Sequence, residues 1–400
     1  MTLSPTEQHL IARIDPEPML QQVLAWSAIN TGTRNLTGLA HQADVLAAAF
    51  SALPGDIALE QGAAVSAVGS DGQRETIAHG RNLVLRVRPS ARRRVLLTGH
   101  MDTVFAADHP FQVARWRDDA VLNGPGVADM KGGIAVMLAA LAAFEASPAA
   151  ARMGYDVLVN ADEETGSLSS APLIARLATG KAAALTFEPA ALPDGTLAGA
   201  RAGSGNFSVV IHGRSAHAGR NPADGRNAVV AAARLVLALT ALAGPDISVN
   251  PARIDGGSAN NVVPDLAIVR FNIRPRDDPA AARFAAALAE AVAQVEQDCE
   301  VAAHIHGALS RPPKPLTPAA EALFHLVRDC GAALGQTIGW QPSGGVCDGN
   351  NIAAAGVPVV DTMGVRGGAI HSADEYLIVP SLGERARLAA LVLHRLAGGE

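Results

Sequence analysis

The sequence predicts an α/β protein in which a largely parallel sheet is covered by helices and a second, smaller domain is inserted. Two observations predict this class. Over residues 81–198 apolar, strand-like runs alternate with helix-like runs, and the alternation resumes after Pro318. Such alternation is typical of parallel sheets whose strands are connected by helices. Residues 200–311 follow a different order of elements, which predicts a separate unit.

The first α/β part contains four predicted strands, which are NLVLRV, RRVLLTGH, YDVLVNAD and AALTFEP. The intervening helices are predicted in KGGIAVMLAALAAFEA and SSAPLIARLA. In sheets of this kind, ligands bind at the carboxyl ends of the strands. Polar residues that directly follow a strand are therefore the first candidates for function.

The middle part predicts the order strand, helix, strand, strand, helix, strand, which is a split βαβ or ferredoxin-like unit. The proline-rich RPPKPLTP marks its exit. The pattern then predicts the helix PAAEALFHLVRDCGAALG, the strand TIGW, the helix GNNIAAAG, the strand PVVDTMG and a closing helix from about Pro380. We therefore predict one domain from residues 1–199 and 312–400, with residues 200–311 inserted as a second.

Composition narrows the functional class. The 400 residues are 49% hydrophobic, which is enough for a large core, and the net charge of −6 comes without long single-sign runs. These features argue against nucleic acid or an anionic membrane as partner.

No apolar stretch of about 18 residues lacks charge, and no secretory signal pattern is present. Three scattered cysteines do not make a disulfide framework. We expect a cytoplasmic protein.

The stretch LVNADEETGS raises an electrostatic problem. A strand predicted to be buried ends in three consecutive acids, Asp162, Glu163 and Glu164. Like charges repel, and burying even one unpaired carboxylate costs several kcal/mol. A cation opposite these acids would offset that cost.

Other strand ends carry side chains that bind metals. VLLTGHMDTV ends in His100 and Asp102, Asp129 lies in the loop of GPGVADMKGG, Glu188 follows a strand in LTFEPA, and His371 lies in GAIHSADEY. Singly, each has an ordinary explanation, such as a surface pair, a helix N-cap or a solvated loop. Together, imidazoles and carboxylates at neighbouring strand ends predict a divalent metal centre, for which zinc is suitable. Because positions i and i+2 of a strand face one side, Asp102 can accept the free ring N–H of His100.

These blocks resemble the signature blocks of the di-zinc metallopeptidases, the family of glutamate carboxypeptidases, aminoacylases, acetylornithine deacetylases and succinyl-diaminopimelate desuccinylases. TGHMDTV, GPGVADMKGG, NADEETGS, FEP and HSADEY stand in the family's order, and the resemblance covers nearly the whole chain. It implies two Zn2+ ions, with Co2+ or Mn2+ as possible substitutes. It also implies a homodimer, in which the inserted unit is the lid or dimerisation domain.

The resemblance implies a role for each matched residue. Asp129 would bridge the two ions, often with a cis peptide bond after it. The remaining ligands would be His100 and Glu188 for one ion, and Glu164 and His371 for the other. Glu163 would be the general base that takes a proton from the metal-activated water and delivers it to the leaving amine, and Asp102 would support His100.

The inserted domain and its exit supply further candidates. The resemblance implies that His217 in GRSAHAGRNP and Asn261 in GGSANNVVPD reach the partner subunit's substrate and stabilise the oxyanion. Arg274 and Arg311 are candidate anchors for a substrate carboxylate, which arginine binds in bidentate fashion. Gly345, together with Gly344, would form a flexible loop near the substrate. Without the resemblance, each of these residues has an ordinary loop or surface explanation.

The predicted function is zinc-dependent hydrolysis that releases a C-terminal, acidic amino acid, as in glutamate carboxypeptidases. The alternative is an N-acyl-amino-acid deacylase with the same metal site, acting on a small N-acyl amino acid. A non-hydrolytic metal-binding protein is a third hypothesis, and a base at Glu163 argues against it. GPGVAD does not match a nucleotide loop, Cys347 has no visible histidine partner, and His304 and His306 are interpreted as surface residues.

Overall fold

The computed structural model describes residues 3–398. Its first part contains helices α1 (Pro5–Ile11), α2 (Pro16–Ser27), α3 (Leu36–Phe50), α4 (Gly133–Glu145) and α5 (Ala171–Ala178). The strands of this part are β1 (Asp56–Glu60), β2 (Val65–Val68), β3 (Arg74–Ile77), β4 (Asn82–Val87), β5 (Arg94–His100), β6 (Arg115–Asp118), β7 (Val121–Asn123), β8 (Gly154–Asn160), β9 (Ala183–Thr186) and β10 (Leu197–Arg201).

The middle part contains helices α6 (Ala228–Ala241) and α7 (Asp278–Cys299). Its strands are β11 (Ser204–His212), β12 (Ala216–His217), β13 (Ile247–Gly256), β14 (Val262–Val263), β15 (Leu266–Pro275) and β16 (Ala302–Arg311). The last part contains α8 (Pro318–Ala333), β17 (Trp340–Ser343), α9 (Asp348–Ala354), β18 (Val359–Val360), β19 (Gly367–Gly368), β20 (Tyr376–Ile378) and α10 (Ser381–Leu396).

The central sheet joins the first and last parts of the chain. Its strand order is β1-β4-β8-β5-β9-β18. Strands β8, β5, β9 and β18 run parallel, while β4 and β1 are antiparallel to their neighbours. Because β18 pairs with β9, the chain returns to the same sheet after the middle part. The predicted α/β class with a largely parallel sheet is confirmed.

Helix α4 lies at the centre of the core. Together with the irregular turn before it, Val127–Glu145 is long and apolar enough to cross a membrane by length and composition alone. However, 89% of its most apolar stretch is buried inside the protein, and α4 packs against α10 and α2. A helix that is apolar on all sides is expected in the core of a large domain, which accounts for its composition.

The middle part forms its own antiparallel sheet in the order β13-β15-β11-β16. Helices α6 and α7 pack on one face, where a separate core includes Val209, Leu235 and Phe284. The order β11-α6-β13-β15-α7-β16 is the predicted βαββαβ pattern, to which β12 and β14 add a small paired arm. This sheet and its core lie inside the predicted limits of 200–311.

Two local features differ from the sequence expectations. The strand predicted at TIGW begins only at Trp340, because the ladder with β10 starts where Leu197 pairs with Trp340, whereas Ile338 is buried in the core. The hairpin of β2 and β3 was not predicted. It contacts the middle sheet, where Val68 packs with Val210 and Arg270 Nη2 donates to the Gly69 carbonyl at 3.0 Å.

Candidate metal centre

The predicted ligands converge because their strands are neighbours. His100 is the last residue of β5, the acidic turn follows β8, and Glu188 lies just after β9. Since β5 pairs in parallel with both β8 and β9, these three carboxyl ends meet at one edge of the sheet. Ligand sites are expected at such edges.

Asp129 lies between two groups of side chains. Its Oδ1 is 3.0 Å from His100 Nε2, and its Oδ2 is 3.3 Å from His371 Nε2. His100 Nε2 is also 3.6 Å from Glu188 Oε2, and His371 Nε2 is 3.2 Å from Glu164 Oε2. The carboxylate of Asp129 therefore offers one oxygen to each group, and the grouping matches the one implied by the resemblance.

The electrostatics of these groups indicate that a cation fits between them. Burial, with the charge of Asp129 adding to it, raises the pKa of Glu164 to about 7. Burial also raises the pKa of Glu188. Hydrogen bonds to Asp129 and Glu164 raise the pKa of His371 to about 11. The imidazoles of His100 and His371 lie beside these acids, and a bound divalent cation would neutralise the negative charge more completely.

The donor atoms also suit a metal. The ligand atoms of His100, Asp129 and Glu164 lie within 4.8 Å of one another, as do those of His100, Glu163 and Glu188. A set of imidazole nitrogens and carboxylate oxygens is appropriate for zinc and is compatible with other divalent ions. The described residues therefore fit a centre of one or two divalent ions.

The turn that carries Asp129 is held by Glu375, which was not predicted. The Glu375 carboxylate accepts hydrogen bonds from the backbone N–H of Ala128 at 2.9 Å, of Asp129 at 3.0 Å and of Gly126 at 3.2 Å. Burial and the charge of Asp129 raise the pKa of Glu375 to about 8. The implied cis peptide bond between Asp129 and Met130 is present. The sequence did contain a signal for Glu375, because this acid lies inside the block HSADEY.

Asp102 supports the site in two ways. Its backbone carbonyl lies 2.9 Å from His100 Nδ1, closer than its carboxylate Oδ1 at 3.4 Å. The carboxylate accepts hydrogen bonds from the backbone N–H of Glu163 at 3.1 Å, the backbone N–H of Glu164 at 3.2 Å and the Thr33 hydroxyl at 2.7 Å. The carbonyl is therefore the nearer partner of the imidazole, while the carboxylate orders the acidic turn.

The predicted base is in contact with a predicted substrate anchor. Arg311 Nη2 lies 2.7 Å from Glu163 Oε1 and donates to the Glu163 carbonyl at 2.8 Å. Its Nη1 lies 3.3 Å from Asp348 Oδ1, and the arginine is only 2% exposed. Burial raises the pKa of Glu163 well above its usual range, and the positive charge of Arg311 opposes this. Arg311 is thus engaged with protein carboxylates, and its role as an anchor stays a prediction.

A cavity of about 830 Å³ opens beside the acids and extends to the middle sheet. Its lining includes Asp129, Glu163, Arg274, Gly345 and Cys347. Arg274 Nη1 donates to the carbonyl of the adjacent Gly344 at 2.9 Å. Burial raises the pKa of the Cys347 thiol well above its usual range, which does not favour a nucleophilic thiolate.

The remaining candidates lie away from this cavity. His217 on β12 and Asn261 beside β14 are adjacent, since the Ala218 N–H donates to the Asn261 carbonyl at 2.9 Å. Both are exposed, and neither lines the cavity of its own chain. His304 and His306 lie on β16 of the middle sheet. One chain by itself therefore does not bring His217 and Asn261 to the metal centre.

Comparisons with known proteins agree with this geometry. Residues 96–395 match the model of peptidase family M20/M25/M40. The chain is 30% identical over 333 residues to carboxypeptidase G2 of Pseudomonas sp. (strain RS-16), covering 80% of this chain and 78% of the relative. It is 28% identical over 322 residues to a succinyl-diaminopimelate desuccinylase of Psychrobacter arcticus, covering 76% and 78%.

A solved structure extends the likeness over the fold. Aminopeptidase PepT of Bacillus cereus ATCC 10987 has a TM-score of 0.72 at 20% identity, covering 96% of this chain and 100% of that one. The family model spans most of the chain and contains all five proposed ligands. The resemblance seen in the sequence is thus confirmed, and the chain is a metal-dependent hydrolase that belongs to peptidase family M20/M25/M40.

Proposed function

We propose that this protein hydrolyses an amide bond and releases an amino acid that carries a free α-carboxylate, in the manner of a glutamate carboxypeptidase. The observation that carries the proposal is the Asp129 carboxylate, with one oxygen facing His100 and the other facing His371, beside the buried acid Glu163. The 30% identity to carboxypeptidase G2 supports the same conclusion. An acidic leaving amino acid is the finer part of this proposal.

In this proposal His100, Asp129 and Glu188 hold one divalent ion, and Asp129, Glu164 and His371 hold the other. We propose zinc, with cobalt or manganese as possible substitutes. Such ions, when bound, polarise the scissile carbonyl and lower the pKa of the attacking water. The short approaches of both histidines to Asp129 support a shared ligand.

Glu163 acts as the general base in this mechanism. It accepts the proton of the attacking water and then transfers it to the leaving amine. Arg311 holds Glu163 Oε1 at 2.7 Å, so the side chain is oriented and its other oxygen is left for the proton. Asp102 fixes the turn of Glu163 by accepting its backbone N–H at 3.1 Å.

Arg274 is the proposed anchor for the substrate carboxylate. Among the described residues, three arginines line the cavity. Arg201 is paired with Asp361, and Arg311 with Glu163. Within the described residues Arg274 has no carboxylate partner and donates only to a backbone carbonyl. An exposed guanidinium in the same cavity as the metal centre is suited to bidentate binding of a carboxylate.

The middle domain, residues 200–311, is proposed as a lid and dimerisation domain. His217 and Asn261 lie on its exposed arm, outside their own cavity. In a homodimer they would reach the partner's substrate and donate hydrogen bonds to the developing oxyanion. Light scattering that shows a monomer under active conditions would exclude this role.

A cytoplasmic location of the protein stays a prediction.

The second candidate function is deacylation of a small N-acyl amino acid. The 28% identity to a succinyl-diaminopimelate desuccinylase favours it, and the same ligands and base would serve. The two candidates differ in which side of the amide bond is selected. A deacylase selects the acyl group, whereas a carboxypeptidase selects the released amino acid.

A substrate panel tests the proposal. It would contain N-acetyl amino acids, N-acyl glutamates and dipeptides with acidic or neutral C-termini, assayed after chelation and again after addition of zinc. Metal-restored cleavage concentrated on C-terminal glutamate or aspartate supports the carboxypeptidase. Cleavage concentrated on acetylated amino acids, whatever their side chain, supports the deacylase. Turnover that survives complete metal removal contradicts both.

A further inference from the structure

The middle sheet presents a row of three asparagines to the cavity. In the register of neighbouring strands, Asn272 of β15 lies opposite Asn250 of β13 on one side and Asn206 of β11 on the other. All three line the cavity beside the metal centre. Directly opposite residues on adjacent antiparallel strands have Cβ atoms about 5 Å apart. The amides therefore form a continuous polar strip, here called the asparagine row.

The row keeps hydrogen-bonding groups available. Asn272 Nδ2 donates to Asn206 Oδ1 at 2.8 Å and to Ser204 Oγ and the Gly205 carbonyl at 3.1 Å each. These bonds orient the side-chain amides of Asn272 and Asn206. Within the described residues, four side-chain amide atoms of the row have no hydrogen-bond partner in the protein. They are Asn206 Nδ2, Asn272 Oδ1 and both amide atoms of Asn250. The strip thus offers donors and acceptors together, and it carries no charge.

The row lies next to the proposed carboxylate anchor. Arg274 is two residues beyond Asn272 on β15, so both side chains point to the same face of the sheet. At about 3.3 Å per residue along the strand, Arg274 and Asn272 are about 6.6 Å apart. That separation is within the reach of a long side chain, such as that of glutamate or glutamine, when the α-carboxylate of the same amino acid contacts Arg274.

We propose that the asparagine row binds the side chain of the released amino acid and selects long side chains that end in a carboxylate or a carboxamide. This inference rests on the proposed function, because it takes Arg274 as the anchor of the α-carboxylate. The other two arginines that line the cavity are paired with protein acids. The side-chain subsite therefore contains neutral amides, so it widens the proposed acidic preference to include carboxamide side chains of the same length.

The test compares N-benzoyl derivatives of glutamate, glutamine and methionine, whose side chains are of similar length. The parent protein is expected to show kcat/KM values for glutamate and glutamine within about threefold of each other, and about tenfold above that for methionine. A net hydrogen bond corresponds to about a two- to tenfold effect. Asn206→Ala should therefore reduce the preference for glutamine over methionine by about two- to tenfold.

A second variant separates recognition from folding. Asn206→Asp is isosteric, keeps the acceptor of the Asn272 bond and replaces the free donor with a negative charge. It should lower the glutamate-to-glutamine ratio of kcat/KM by about tenfold or more, since like charges then meet. Gln294→Ala is the matched control, because it removes an amide from the exposed surface of α7 in the same domain. Its ratios should equal those of the parent.

Each outcome decides the inference. Equal kcat/KM for glutamine and methionine in the parent overturns it while leaving the proposed function intact. A glutamate-to-glutamine ratio that Asn206→Asp does not change overturns it as well. A zinc-loaded parent that releases no amino acid from any of the three substrates overturns the proposed function, and the inference falls with it.

Discussion

The metal centre and the asparagine row line the same cavity, and they are built on different principles. The metal centre gathers buried carboxylates and imidazoles from strand ends, and every side chain in it is a potential ligand, base or support. The asparagine row consists of neutral amides on adjacent strands, and two of the three, Asn206 and Asn250, are exposed. The metal centre carries charge that requires a cation, whereas the amides of the asparagine row are neutral and only the adjacent Arg274 is charged.

This difference teaches where each kind of signal is found. Three consecutive acids after a buried strand require a compensating positive charge, so the sequence alone is enough to predict a site there. A neutral asparagine on a strand needs no compensating charge, so nothing in the sequence marks it as a functional residue. The row is recognisable only because the register brings Asn206, Asn272 and Asn250 opposite one another.

The largest expected effect belongs to the metal centre. Glu163→Gln removes the base but keeps the shape of the side chain and its contact with Arg311. Hydrolysis should fall by about 10²–10⁴-fold, the usual contribution of a general base, while bound metal measured by elemental analysis stays at the parental level. Turnover close to that of the parent would contradict the assignment of Glu163.

The second prediction concerns the buried ion cluster of Asp361, Arg201 and Lys314. Asp361 is fully buried and contacts Arg201 Nε at 2.8 Å and Lys314 Nζ at 3.1 Å. Asp361→Asn leaves two buried cations less well compensated and should lower the free energy of unfolding by about 3 kcal/mol at pH 7. Urea unfolding measures this change, and a loss below about 0.5 kcal/mol would contradict it.

The same carboxylate predicts a pH dependence. Although burial opposes the shift, the charges of Arg201 and Lys314 lower the pKa of Asp361 below its usual value. An acid whose pKa is lowered in the folded state stabilises that state above its unfolded pKa, and the stabilisation is lost as the pH falls through the folded pKa. The difference in stability between the parent and Asp361→Asn should therefore be full at pH 6 and should shrink below about pH 4. A difference that grows on acidification would contradict this sign.

A smaller effect is expected at the support of the bridging turn. Glu375→Gln keeps the side-chain volume but weakens its acceptance of the N–H groups of Ala128 and Asp129. Loss of such a supporting contact typically reduces metal affinity by about 10–100-fold. Competition with a chromophoric chelator measures this affinity. The control is Glu384→Gln, which alters an acid on α10 that pairs with Arg366 and should keep the parental affinity.

The smallest effect is expected at Arg274, the proposed carboxylate anchor. Arg274→Ala should raise KM by about tenfold for substrates with a free α-carboxylate, as expected from loss of a charge-assisted contact, and should change kcat less. The same substrate as its methyl ester should show little difference between the parent and the variant. A KM penalty of equal size on the ester would show that Arg274 acts on the fold of the Gly344 loop instead.

Much of the fold was predictable because hydrophobic periodicity is local. The helices now seen as α4 and α8 follow their predicted segments closely. The position of β17 was displaced because pairing with β10 set it, and pairing is not visible in a single segment. The small sheet of β19, β20, β7 and β6 was missed for the same reason, since its short strands come from distant parts of the chain.

The site shows the same division. His100, Asp129 and the acids after β8 were predictable, since ligand-type residues at strand ends are unusual in chemistry and in position. Arg311 was predicted as a substrate anchor, yet it contacts Glu163 across 148 positions of the chain. Asp102 was predicted to support His100 through its carboxylate, whereas the carbonyl lies closer.

The sequence by itself determined the α/β class, the inserted βαββαβ unit and the set of ligand-type residues, because period, order and residue chemistry are written along the chain. Only the tertiary structure decided which side chains those residues meet. It placed Glu375 under the Asp129 turn, Arg311 against the base, and three asparagines in one row. Contacts between residues far apart in sequence depend on strand register and on the packing of helices against the sheet, and these are properties of the whole folded chain.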